Sequence, residues 1–200
     1  MKKIISSVIL LVLFTCIVLL VLTNNITWLD EPVYNYIISY ESDTLTDIFK
    51  VFTFLGSTKF IIIFNILIFV YTIIRKKYQY LIMLTSSLTS VIFNNIIKII
   101  IERPRPNILR LIAETGYSFP SGHAMISILF YGSIIYIFNK YRLPFAKLVT
   151  FILVILIGGI CLSRIYLGVH YVSDVLGGMC LATSLLLIVQ TIYENKIRGD

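Results

Sequence analysis

Six long apolar runs divide this chain, and they restrict its fold more than any other feature. They cover roughly residues 4–22, 59–74, 80–101, 121–138, 148–166 and 170–193. A bilayer core takes roughly 20 apolar residues in helix, because each backbone N–H and C=O there must be satisfied inside its own segment. At 58% hydrophobic residues and a mean hydropathy of +0.92, the 200-residue chain is too apolar for a soluble domain. The expected fold is all-α: a polytopic membrane protein with six transmembrane helices. Residues 24–58 break the pattern, since Asp30, Glu31, Glu41, Asp43 and Asp47 disfavour a span. Val33, Ile37, Leu45, Ile48, Phe49 and Phe52 still recur at about helical spacing, and Trp28 suits a membrane interface. One or two short interfacial helices after the first span are therefore predicted.

No repeat, low-complexity linker or soluble domain interrupts the chain, so residues 1–200 read as one membrane-embedded domain. Lys2 and Lys3 precede the first run. That run is longer than a signal-peptide core, and Thr23-Asn24-Asn25 is no small-residue cleavage site, so it reads as a span with its N-terminus inside. The second span is expected to extend back through Gly56. The third carries a polar stripe of Ser86, Ser87, Thr89, Ser90, Asn94 and Asn95, suited to helix packing rather than lipid. The sixth is expected to begin near His170, with a short tail over 194–200. Cys16, Cys161 and Cys180 lie inside apolar runs and read as buried hydrophobes, not as a disulfide set or metal ligands. The net charge of +7 raises nucleic acid as a partner, but the basic residues lie between spans and form no stripe. Nucleic acid is set aside.

Ten of the 17 Lys and Arg residues fall on the inner side in this topology, in keeping with the positive-inside rule. The exceptions carry information. Lys98, Arg103, Arg105, Arg110 and Arg164 cluster at the outer ends of spans three to five. The same level receives Pro120-Ser121-Gly122-His123, where Pro120 disfavours helix before it and Ser121 is a good N-cap. A fresh helix N-terminus offers unpaired N–H groups and a positive dipole end to an anion, and Gly122 lets that anion approach the backbone. Ser163-Arg164 closes span five, and His170 and Asp174 open span six, one turn apart. Together these pieces describe a pocket for a multiply charged tetrahedral oxyanion, with Arg for bidentate contacts and Lys as a point charge. Two histidines and a carboxylate add a nucleophile, an orienting group and an acid.

Each piece taken singly also has an ordinary reading. Lys98 snorkels to headgroups, Arg103 and Arg105 pair with Glu102 and Glu114, Arg164 complements a helix end, and Ser163 packs between helices. A zinc site on two His and Asp174 is disfavoured, because Lys98, Arg105 and Arg164 would repel the ion. A serine-hydrolase triad on Ser121 or Ser163 explains none of the cations.

The same residues resemble the phosphatidic acid phosphatase type 2 superfamily, which joins membrane lipid phosphatases to soluble vanadium haloperoxidases and acid phosphatases. Its first block, Lys, six residues, Arg-Pro, is matched by Lys98 and Arg105-Pro106. Its second, Pro-Ser-Gly-His, is matched by residues 120–123, and its third by Ser163-Arg164, His170 and Asp174. Residues 1–50 carry none of the motif. The resemblance implies a phosphohistidine on His170, with Asp174 orienting the ring and His123 protonating the leaving oxygen before activating water. It implies that Lys98, Arg105, Ser121, Gly122 and Arg164 hold the phosphoryl oxygens. Arg103 lies outside the block and is expected to meet a second phosphate or a headgroup; Ser163 is a possible secondary contact. No metal and no other cofactor is expected. The implied activity is that of a lipid phosphatase in the cytoplasmic membrane, its site at the outer face and both termini inside. Its substrate would enter from the bilayer: undecaprenyl pyrophosphate, phosphatidylglycerophosphate or phosphatidic acid. A non-enzymatic anionic-lipid binder or transporter is the alternative that uses the same cations.

Overall fold

A computed structural model describes residues 1–107 and 109–198. Among the described residues the chain forms eight α-helices: α1 (Lys2–Leu22), α2 (Thr27–Ile38), α3 (Asp43–Leu55), α4 (Thr58–Arg75), α5 (Leu81–Ile101), α6 (Gly122–Lys140), α7 (Ala146–Tyr166) and α8 (Val172–Arg198). Six of them, α1 and α4–α8, are long and apolar enough to cross a membrane. The shortest of these, α4, has 18 residues and spans about 27 Å at 1.5 Å per residue. The two remaining helices, α2 and α3, are the short interfacial pair expected between the first and second spans.

Local chemistry sets several boundaries. Ser42 Oγ accepts from Leu45 N at 3.3 Å to start α3, and Ser57 Oγ accepts from Phe60 N at 3.3 Å to start α4. Gly56 ends α3, and the expected backward extension of the second span through Gly56 is corrected: the Ser57 cap starts a new helix and splits one apolar stretch in two. A 3-10 turn over Tyr78–Tyr80 leads into α5. The last span is also corrected. It starts at Val172, not His170, because Gly168 holds φ +69° and turns the chain between α7 and α8. The segment 194–198 continues α8 instead of forming a tail, and positions 199–200 lie outside the described residues.

The central helix is α6, buried along most of its length and in contact with α5, α7 and α8. Apolar side chains gain little by leaving lipid for a protein interior, so packing and interhelical hydrogen bonds must hold such a bundle together. The polar stripe of α5 supplies these. Ser133 donates to Ser86 at 2.8 Å, Asn65 to Ser87 at 3.0 Å, and Asn94 Nδ2 to the Pro120 carbonyl at 3.0 Å. From the same predicted stripe, Asn95 is exposed instead, and Thr89 is half-buried and donates to Thr85 O of its own helix. Ser7 and Ser184 pair at 2.7 Å and seat α1 on α8. Ile61, Ile82, Ile126 and Phe130 fill the space among α4, α5 and α6. The lipid-facing sides of α1 and α4, with Val8, Val12, Ile66 and Ile73, stay exposed in the protein alone.

Two devices bring the chemistry-bearing ends together. Gly178 lets α8 lie against the start of α6: a Cβ there would sit 3.0 Å from the Ser121 carbonyl. The adjacent Ser121 N donates to the Asp174 carbonyl at 3.0 Å, fastening one helix start to the other. The loop between α5 and α6 is pinned to α2 by Tyr34, whose hydroxyl donates to Leu109 O at 3.0 Å and accepts from Leu109 N at 3.1 Å.

Candidate active site

His170 sits at the centre, 1% exposed, in the turn between α7 and α8. Its backbone N donates to Arg164 O at 3.2 Å. One face of the ring meets Asp174, with Nδ1 3.4 Å from Oδ2. The other meets Arg105, with Nε2 3.2 Å from Nη1. A guanidinium can only donate, so Nε2 accepts and carries no proton. The neutral ring's proton then lies on Nδ1 and points at Asp174, leaving the Nε2 lone pair on the cationic side. Burial first, then Arg164, Arg105 and Lys98, push the His170 imidazole well below its ordinary value. The ring is neutral at physiological pH. His170 precedes α8, so the expectation that it shares a helix face with Asp174 is corrected; the turn rather than the helix brings the two together.

The cations arrive from three elements. Lys98, in the last turn of α5, donates to Tyr117 O at 2.7 Å. Arg105 comes from the loop, and its remaining donors are held by carbonyls: Val169 at 2.8 Å, Gly116 at 3.0 Å and Thr115 at 3.0 Å. Arg164 closes α7, is 1% exposed, and donates to Thr53 of α3 and, at 2.5 Å, to Glu114. The other Glu114 oxygen lies 4.0 Å from Arg105. One carboxylate thus meets both arginines.

Two buried polar atoms here have no protein partner: Arg164 Nε and Ser121 Oγ. Ser121 stands at the N-cap position of α6, yet its hydroxyl caps nothing. Gly122 follows with Asn94 beside it; a Cβ would sit 3.0 Å from Asn94 Oδ1. His123, half-buried in the first turn of α6, lies within the fields of Arg164, His170, Lys98 and Arg105. Buried donors without partners beside a helix N-terminus form a ready place for an oxyanion.

Three residues singled out from the sequence sit elsewhere. Arg103 does not face this space. It binds Asp174 Oδ1 at 2.6 Å and Asp30 Oδ2 at 2.7 Å, which corrects the expected contact with a second phosphate or headgroup. Nor does it pair with Glu102, which accepts from the Tyr117 hydroxyl. Ser163 is fully buried and donates to Ile160 O at 2.6 Å, the ordinary packing role. Arg110 folds onto its own loop, donating to Pro106 O. Sequence reasoning passes over Asp30, Thr53 and the Glu114 link to Arg164. Asp30 carries a usable signal: with Ile26, Val33, Tyr34 and Ile37 it lies on the apolar stripe of α2, where an acid needs a partner.

Residues 79–198 match the family model of the PAP2 superfamily. Phosphatidylglycerophosphatase B of Bacillus subtilis (strain 168) is 33% identical over 187 residues, covering 88% of each chain. The crystal structure of the transmembrane PAP2 type phosphatidylglycerolphosphate phosphatase from Bacillus subtilis superposes with a TM-score of 0.87 at 32% identity, covering 95% of this chain and 96% of that one. Sphingosine-1-phosphate phosphatase 2 of Homo sapiens is 42% identical over 81 residues, 40% of this chain and 19% of that protein. The Aquifex aeolicus LpxE crystal structure, 22% identical with a TM-score of 0.64 over 80% of this chain and 94% of that one, shares the fold. With its helices, its three motif blocks and a family match over more than half its length, the chain belongs to the PAP2 superfamily.

Proposed function

We propose that this membrane lipid phosphatase cleaves phosphatidylglycerophosphate or a related lipid phosphate through a phosphohistidine on His170. The reading rests on one observation above all: His170 holds a proton-free Nε2 toward the Arg105 guanidinium, within the fields of Arg164 and Lys98, and its other nitrogen toward a buried carboxylate. A binder needs the cations alone. A nucleophile also needs an orienting carboxylate, which here keeps the ring in the attacking tautomer.

The steps follow. Nε2 of His170 attacks phosphorus, and the bond from phosphorus to the lipid oxygen breaks. His123 gives its proton to that oxygen. Water then attacks the phosphohistidine, His123 takes the water proton, and the P–N bond breaks to release inorganic phosphate. Lys98, Arg105 and Arg164, with the Ser121 hydroxyl and the N–H of Gly122, bind the charge that builds on the phosphoryl oxygens. The reaction so written uses no metal.

The name of the Bacillus relative supports phosphatidylglycerophosphate; phosphatidic acid and undecaprenyl pyrophosphate present the same terminal phosphate. The short loop between Pro106 and Pro120 gives little room for reading a headgroup, so several lipids should be accepted. Strict use of one lipid would count against that. The whole chain acts as a single phosphatase unit, its site at the outer face and both termini in the cytoplasm, as the Lys and Arg distribution favours. The test is phosphate release from these three lipids by detergent-solubilised protein with excess chelator, beside His170→Ala. Release that survives the chelator and vanishes in the variant supports the reading. Folded protein with no release would favour a lipid binder, and loss with the chelator would restore a metal.

A further inference from the structure

Arg103 is a motif-region cation that the phosphatase reading leaves without a task. Its side chain is 13% exposed and its guanidinium carbon lies over Tyr171, 4.1 Å from the ring centroid. Nη1 donates to Asp174 Oδ1 at 2.6 Å and to Ser173 Oγ at 2.7 Å, while Nη2 donates to Asp30 Oδ2 at 2.7 Å. Asp30, 1% exposed in α2, also accepts from Ser173 N at 2.9 Å and from Ser173 Oγ at 2.8 Å. Asp174 Oδ2 accepts from Tyr171 N at 2.9 Å and faces His170. A carboxylate, a guanidinium, a second carboxylate and the imidazole thus stand in one row, contributed by α2, the loop, α8 and the turn before it.

We infer that Arg103 and Asp30 are positioning residues for the nucleophile: Arg103 offsets part of the Asp174 charge felt by His170, and Asp30 sets how much of Arg103 is available to do so. The inference rests on the phosphohistidine reading. Two carboxylates buried side by side would repel, and one guanidinium between them removes that penalty. Burial works against the Arg103 charge, but Asp174 and Asp30 outweigh it and hold the group above its ordinary value. The remaining charged and titratable groups around His170 are Arg105 and Glu114 from the loop, Lys98 from α5, His123 from α6 and Arg164 from α7. The cations among them favour the neutral ring, whereas Asp174 favours imidazolium. Arg103 tempers Asp174 without touching substrate.

This arrangement predicts shifts of opposite sign. Without the Arg103 charge, Asp174 acts on His170 in full, imidazolium forms more readily, and the acid limb of kcat/KM moves to higher pH. Without the Asp30 charge, Arg103 serves Asp174 alone and the limb moves to lower pH. A structural brace would weaken both variants alike and move neither limb in a signed way. A phosphomonoester's own ionisation, near pH ~6, contributes equally to every variant and cancels in the comparison.

The experiment is kcat and KM against pH for hydrolysis of phosphatidylglycerophosphate by the full chain in detergent, for wild type, Arg103→Gln, Arg103→Lys, Asp30→Asn and His170→Gln. Arg103→Gln should raise the limb by about one pH unit and lower kcat about 10-fold or more, with KM within about 3-fold. Arg103→Lys should return most of the limb, and Asp30→Asn should lower it by about half a unit. If Arg103→Gln does not fold, Asp30→Asn decides alone: a downward limb supports the inference, and an unmoved or upward limb overturns it. Limbs that move together, or not at all, overturn it as well. Hydrolysis surviving in His170→Gln would sink the phosphohistidine reading itself; a dead His170→Gln beside unmoved limbs sinks only this inference.

Discussion

The two sides of His170 are built from the same kinds of group and differ in how far those groups are satisfied. On the Asp174 side all four carboxylate oxygens of Asp30 and Asp174 have partners, supplied by Arg103, Ser173, Tyr171 and His170. On the cationic side, Arg164 Nε and Ser121 Oγ are buried without one, and Arg164 and Arg105 share the single carboxylate of Glu114 at 2.5 and 4.0 Å. A saturated wall fixes a ring; an unsaturated one suits a ligand. The run Arg103-Pro104-Arg105-Pro106 feeds both walls, one arginine to each. The contrast teaches that cation count alone says little about an anion site. What matters is which donors are already spent inside the protein.

The hardest test of this division removes the ring between the walls. His170→Ala should lower phosphate release about 1,000-fold or more while leaving the folded fraction unchanged, read by thermal unfolding beside activity. Release within about 10-fold of wild type would place the nucleophile elsewhere. Removing a donor from the unsaturated wall should come next: Arg164→Gln is expected to lower kcat/KM about 100-fold or more, the usual loss for one preorganised charge-stabilising donor. An equal loss from Lys50→Gln, an exposed cation paired with Asp47, would erase the distinction between walls.

Glu114 holds Arg164 and must yield to a phosphoryl group. Glu114→Gln should therefore tighten inhibition by vanadate, a phosphate mimic, about 3- to 10-fold, which corresponds to about 0.7–1.4 kcal/mol. Weaker inhibition would make Glu114 a support rather than a competitor. The smallest effect belongs to the bundle away from both walls. Ser133→Ala deletes the Ser86 hydrogen bond and should cost about 0.6 kcal/mol of stability with kcat unaltered. A marked loss of activity there would show that packing in mid-membrane reaches the site.

Much of this architecture is legible in the amino-acid sequence. Six apolar runs specify the spans, because the bilayer leaves a helix few alternatives. The spacing of Lys98, Arg105, residues 120–123, Arg164, His170 and Asp174 marks which ends meet. What stays hidden depends on long-range partners. Periodicity cannot say that Asp30 reaches Ser173 and Arg103, 143 and 73 residues away. The order of motif residues does not reveal that His170 lies in a turn, since Gly168 sets that turn through a backbone angle. Nor does an apolar stretch across Gly56 disclose its break, which the Ser57 cap produces.

His170 also carries the most direct test. Wild-type protein mixed briefly with phosphatidylglycerophosphate, quenched in alkali to preserve a P–N bond and digested, should yield a phosphorylated peptide with the phosphate on His170. The signal should rise and decay with turnover. Its formation should persist as pH falls below 6.5, because burial and the facing cations keep the ring neutral there. Rapid phosphate release with no phosphate ever found on His170 would contradict the account at its centre.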